Sequence, residues 1–188
     1  MESDIKTNLN INDIARYTLL NLFSKGITVC PLKLQKLLYY IQSWHMVYFN
    51  NKLIFEEKPE AWVNGPVYKT VYDVYKNIGL YDQIKPQDVI NPFDPKDETK
   101  CILDNLIAIS SKLSLTKDQI EFLESIYEHY GTMSHDRLVF LTHAEEPWSE
   151  AREGLSPFDY SHKKLSLDTM FTYYSERLKR NRVKADSQ

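Results

Sequence analysis

Apolar residues recur at helical spacing along most of this chain. Ile11, Ala15, Thr18, Leu19 and Leu22 share one face of a first predicted helix that runs to about Ser24; Asn12 or Asp13 can cap its start, and Gly26 stands just past its end. A second helix is predicted from near Thr28, with Thr28 as N-cap and Pro31 in the first turn, where a missing N–H costs little. Leu34, Leu37, Leu38, Ile41, Trp44 and His45 then make one wide apolar stripe, with Lys33, Lys36 and Tyr40 on another side. This helix is the strongest core candidate. Asn50-Asn51 breaks it, and Leu53-Ile54-Phe55 and Ala61-Trp62-Val63 read as short extended runs, a small hairpin or extended pair.

Asn64-Gly65-Pro66 reads as a corner. Gly65 accepts positive φ, Pro66 presets the first turn of a helix carrying Val67, Val71, Val74, Tyr75 and Ile78, and Trp62 can clamp the corner against the core. Residues 83–98 hold three prolines and several charges, which predicts a loop or linker. A helix follows from Glu98 to Leu113. Thr116 to Gln119 has the form of a capping box, opening a helix with Ile120, Leu123, Ile126, Tyr127 and Tyr130 on one side and Gly131 at its end. Ser134 caps a short helix through Leu138 and Leu141. Pro147-Trp148 is expected to end that region, Ser149 to Arg152 to add one turn, and Ser166 to cap a last helix, about 166–182, with Leu167, Met170, Phe171, Tyr174 and Leu178 in line and a basic end that suits a helix C-terminus. The fold class predicted is mainly α: one domain spanning residues 1–188, a compact helical bundle with a small β-hairpin or extended pair near residues 53–63.

Composition adds little until charge and tyrosine are considered. The 188 residues carry a net charge of −3, so no global basic excess suggests a duplex-binding surface, and nucleic acid is not the expected partner. Five glycines are few for an all-β chain, and thirteen tyrosines suit core edges and interfaces. The start, MESDIKTNLN, is polar, and no apolar run approaches the roughly 18 residues a membrane span needs. A cytoplasmic protein with Cys30 and Cys101 free is expected.

No phosphate-binding loop, dinucleotide fingerprint, nucleophile elbow or CxxC pair occurs, and His45, His129, His135, His143 and His162 lack the spacing of a metal site. No catalytic, cofactor or metal residue is assigned; His45, on the apolar stripe, reads as a hydrogen-bonded core residue, and the chain is not expected to be an enzyme. Tyr68, Tyr72 and Tyr75 share one region of a helix surface. Tyr68 and Tyr72 are expected to look outward, and with Arg177 they are the residues named for partner binding.

The run Pro31-Leu32-Lys33-Leu34-Gln35-Lys36-Leu37-Leu38-Tyr39-Tyr40, followed by Ala61-Trp62 and Gly65-Pro66-Val67, resembles the Panacea domain of phage-associated, SocA-like proteins from toxin–antitoxin pairs. Tyr130-Gly131, Leu138, Thr142-His143 and Pro147-Trp148 extend the likeness to about residues 10–155. The resemblance implies a mainly helical antitoxin of bacterial or prophage origin that neutralises a cognate toxin, encoded by an adjacent gene, by direct binding. It also allows an adaptor that presents a partner to a protease, or a nucleic-acid-binding protein that regulates its own operon. The motif residues Lys33, Leu34, Gln35, Lys36, Leu37, Leu38, Tyr39, Trp62, Gly65, Pro66 and Trp148 read as builders of the fold. Residues 83–98 and the segment after 155 match no family motif, and partner choice is expected there.

Overall fold

The computed structural model describes residues 5–185, and its centre is a helix with almost no solvent face. Helix α1 spans Ile11–Ser24, and helix α2, Pro31–Tyr48, is buried at every position from Pro31 to Met46. The expectation that Lys33, Lys36 and Tyr40 form a separate side is therefore corrected: other elements cover that side too. α1, a hairpin and later helices pack around α2, which leaves its polar side chains to find partners inside the protein.

The start of α1 is capped by Asn10 rather than Asn12 or Asp13: its side-chain oxygen accepts from the N–H groups of both those residues. Past its end, Gly26 lies at φ +69°, with the Ile27 N–H on Leu22 and the Gly26 N–H on Phe23, a Schellman closure. α2 starts after Cys30, not Thr28, with Pro31 opening the first turn.

The corner is a hairpin. Strand β1, Glu60–Trp62, pairs antiparallel with strand β2, Gly65–Val67, so Trp62 faces Gly65 and Ala61 faces Pro66. Leu53 to Phe55 form no strand. Asn64 closes a two-residue connection, and Pro66 lies in β2 instead of a first helical turn. Gly65 sits at φ +95°, and a Cβ there would come within 2.7 Å of the Lys36 Cε and 2.9 Å of the Thr142 Oγ1. Helix α3, Lys69–Tyr75, begins only after Tyr68, and Glu57 accepts from its Thr70 N–H. Val74, expected on its apolar stripe, is exposed.

Residues 83–98 are more ordered than a linker. Ile84 and Ile90 are buried, a short helix α4 spans Pro86–Val89, and a 3-10 turn spans Pro95–Asp97. Helix α5, Glu98–Leu113, packs along α1. Helix α6, Lys117–Ile126, opens with the Thr116–Gln119 capping box and widens into a π-turn at Tyr127–Gly131. Ile120 is exposed, and Phe122 takes its place in the core. Ser134 caps helix α7, His135–His143. Pro147-Trp148 begins rather than ends an element, since helix α8 spans Glu146–Ala151 with Pro147 in its first turn. The Ser166 hydroxyl accepts from the Thr169 N–H at the head of helix α9, Leu167–Ala185, which lies against α2 and α8 through Met170 and Tyr174. The mainly helical bundle with one small hairpin is thus the observed architecture.

Replacing Gly65 with Ala meets both a left-handed backbone and crowding by Lys36, whereas Gly26 has nothing within 4 Å of its added Cβ. Gly65→Ala is expected to destabilise by roughly 2–4 kcal/mol and Gly26→Ala by about 1 kcal/mol, measured by urea unfolding.

Candidate functional site

The side chains of α2 hold backbone as a neighbouring strand would. Gln35 accepts the Tyr68 N–H at 2.7 Å and donates to the Tyr68 carbonyl at 3.3 Å. Two turns further on, Gln42 accepts the Ile54 N–H at 3.1 Å and donates to the Phe55 carbonyl at 2.7 Å. The Lys36 Nζ, fully buried, donates to the Pro66 carbonyl at 3.0 Å, and burial lowers its pKa to about 7. Lys33 is buried as well and donates to the Thr28 carbonyl, so α2 presents no basic face to nucleic acid. Leu34, Leu37 and Leu38 belong to the core. The two sequence motifs therefore bind each other: the helix grips the hairpin.

His45 is fixed the same way. Its Nδ1 faces the Lys52 carbonyl at 2.8 Å and so carries the proton; its Nε2 accepts from the Gln119 amide at 3.0 Å. Burial lowers its pKa to about 4. Gln119 also exchanges both hydrogen bonds with the Lys6 backbone.

Beneath α9, Glu145 is buried and accepts from Tyr174 at 2.6 Å, Arg177 at 2.8 Å and Tyr40 at 3.4 Å. Burial raises its pKa, against the opposing pull of Tyr174 and Arg177. Tyr39 meets Tyr40 and Tyr174 edge-on, Tyr40 stacks on Tyr130 at 3.9 Å, and the Trp44 indole donates to the Tyr130 hydroxyl. Arg177 lies over the rings of Trp44 and Tyr174. With its side chain 26% exposed and its charge on Glu145, Arg177 is an internal strut of the free chain.

Tyr68, expected to look outward, is fully buried with its ring edge-on to Phe55 at 5.1 Å. It precedes α3 rather than standing on its surface, because the hairpin occupies the residues assigned to the helix's first turn. Tyr72 alone of the three named residues faces an open surface, its ring 4.7 Å from Trp62.

That surface is a groove of about 740 Å³. One wall comes from the start of α2, including Leu32 and Leu34, and from Trp62 and Val63 at the hairpin tip. Tyr72 and Ile78 continue it along and beyond α3. The facing wall comes from Phe158 to His162, where Phe158 is 84% and Tyr160 94% exposed. Trp62 is only partly buried: it donates to Glu60 at 2.8 Å, and it lines the groove as well as closing the corner. Burial would raise the Glu60 pKa, but the hydrogen bonds from Trp62 and His162 bring it below the usual carboxylate value. Behind the tip, the Trp148 indole donates to the Trp62 carbonyl at 3.0 Å and stacks on His143 at 3.9 Å. Burial first, then the nearby Lys36 and Arg152 charges, lower the His143 pKa to about 4.

Arg152, absent from every motif, is buried and donates to the carbonyls of Ala61, Ser156, Pro157 and Asp159. Nothing in the residue spacing singles out Arg152 or Glu145. Phe158 and Tyr160 do leave a signal: two aromatics in a segment of Gly, Ser and Pro with no helical period. Both cysteines are free. Among the described residues, no group of three or more His, Cys, Asp or Glu side chains is arranged to hold a metal ion, and no helix is long and apolar enough to cross a membrane.

Residues 34–149 match the model of the family described as antitoxin SocA-like, Panacea domain. No curated protein and no solved structure matches the chain.

The unfolded chain protonates His45 near pH 6.5 and the folded one only near 4, so its contribution is complete above pH 6.5 and is lost as pH falls towards 4. Urea unfolding is expected to lose about 3 kcal/mol from this group across that range. His45→Gln is expected to remove this share of the decline and leave that of His143, whose pKa is lowered to about 4 as well, whereas the raised pKa of Glu145 acts in the opposite sense.

Proposed function

The chain belongs to the SocA-like antitoxin family of the Panacea domain, and on that premise we propose that it is itself an antitoxin, which neutralises a cognate toxin by direct protein–protein binding. The observation that carries this reading is the groove between α2, the hairpin and the 158–162 segment. Its lining is largely apolar, it contains Tyr72, and two almost fully exposed aromatic rings stand on its rim. Exposed aromatics beside an apolar cleft are the usual anchors of a protein interface. Neutralisation needs only a lasting complex: a nanomolar one is worth about 12 kcal/mol, and stable interfaces typically bury about 1,600 Å² in total.

On this reading the neutralising act is binding, with no bond made or broken by this chain. Three groups displaced in pKa support that view, since each is engaged in holding the fold: Lys36 on Pro66, His45 between Lys52 and Gln119, Glu145 under Tyr174 and Arg177. The partner is the product of an adjacent gene, and both proteins act in the bacterial cytoplasm.

Co-expression tests the reading. The adjacent gene product alone is expected to arrest growth, and this protein to restore it, with the two recovered as one complex. A product harmless on its own, or still lethal in the presence of this protein, overturns it. An unchanged lifetime of the partner in rescued cells identifies sequestration, and a shortened one identifies delivery to a protease.

A further inference from the structure

Resting on that antitoxin reading, we propose that the groove receives the apolar face of an amphipathic helix of the toxin, flanked by carboxylates, and that Phe158 and Tyr160 select the partner. Three observations lead there. The first is that the groove straddles the edge of the family. Leu34, Trp62 and Tyr72 lie within the matched residues 34–149, while Phe158 and Tyr160 lie beyond them. Most of one wall thus lies inside the matched stretch and the other lies outside it.

The second is that the outer wall is held in shape before anything binds. The buried Arg152 guanidinium grips the Ser156 and Asp159 carbonyls at 2.9 and 3.0 Å, the Asp159 carboxylate accepts the Ser156 N–H at 2.8 Å, and the Ala61 N–H holds the Lys163 carbonyl at 2.8 Å. The backbone on both sides of the two rings is thus tied to the hairpin while the rings point to solvent. Rings displayed on a prearranged backbone lose little further freedom on binding, which is what makes an aromatic anchor strong.

The third is the chemistry of the edges. A partner strand would need free backbone groups on the hairpin, and the pair Ala61–Pro66 offers none: the Ala61 N–H goes to Lys163, its carbonyl to Arg152, Pro66 has no N–H, and its carbonyl takes Lys36. Side-chain insertion remains, and a helix delivers apolar side chains at a spacing of three and four residues into such a groove. The charge of the lining sets the flanks. Among the described residues lining it, Lys76 and His162 are the basic groups; the Glu60 carboxylate already lies on the His162 ring at 2.7 Å, so the positive end of the groove is the one at Lys76. Asp73 nearby is shared between Lys69 and Lys76, which leaves an excess of positive charge beside Tyr72.

The test uses the full chain co-expressed with the adjacent gene product, and the purified complex. The double variant Phe158→Ser, Tyr160→Ser is expected to keep the wild-type melting temperature, because both rings are exposed, yet to weaken the complex about 30-fold or more and to lose growth rescue. Lys76→Glu is expected to weaken it about 10-fold at low salt, while Ile107→Ser, on the exposed face of α5, leaves it unchanged. A photo-crosslinking residue at position 160 is expected to mark toxin residues three or four apart, beside Asp or Glu. Full affinity in the double variant, marked residues at every second position, or a crosslink only to a second copy of this chain overturns the groove inference while wild-type rescue leaves the antitoxin reading standing. Failure of the wild type to rescue overturns both.

Discussion

Helix α2 has no solvent-facing side from Pro31 to Met46, yet it carries Gln35, Lys36 and Gln42. An amide buried without partners costs on the order of 2 kcal/mol or more, and an ammonium costs further. These three side chains therefore require backbone laid along the helix, and the chain supplies it as residues 54–55 and 66–68. The hairpin owes its place to that demand more than to its own pairing, since two three-residue strands are too short to persist alone. Gly65 is needed because the Lys36 side chain passes where a Cβ would stand.

Six of the thirteen tyrosines fall into two populations with different work. Tyr39, Tyr40, Tyr130 and Tyr174 surround Glu145 and fasten α9 to α2 through ring contacts and hydroxyl donation. Tyr72 and Tyr160, with Phe158 and Trp62, stand around the groove. In the first set Tyr40 and Tyr174 use the polar tip to satisfy a buried carboxylate and Tyr130 accepts from the Trp44 indole; the second offers ring area to whatever approaches. Arg152 links the two ends of the hairpin region, since one guanidinium on four carbonyls serves both the hairpin edge and the segment bearing the exposed rings.

Much of the helical framework is legible in the residue pattern: α5 from Glu98 to Leu113, the Thr116–Gln119 box, the Ser134 and Ser166 caps and the glycine after α1 all appear where periodicity and capping chemistry put them. The hairpin is displaced because Asn64-Gly65-Pro66 serves equally as a strand connection and as a helix start, and only the distant Lys36 and Trp148 decide between them. The outward orientation expected of Tyr68 fails for the same reason. Local spacing gives the face of a helix, whereas burial by Phe55 depends on residues far along the chain. Trp62 and Tyr72 are legible as residues, but the groove they line closes only when residues 158–162 fold back beside them.

The attachment of α9 bears on how the molecule can be divided. Residues 34–149 carry the family pattern, but Glu145 within them is neutralised by Arg177 and capped by Tyr174 outside them. A fragment cut at the family boundary would leave a carboxylate stranded among bared rings of Tyr39, Tyr40 and Trp44, so the smallest autonomous unit is longer than the stretch the family has in common.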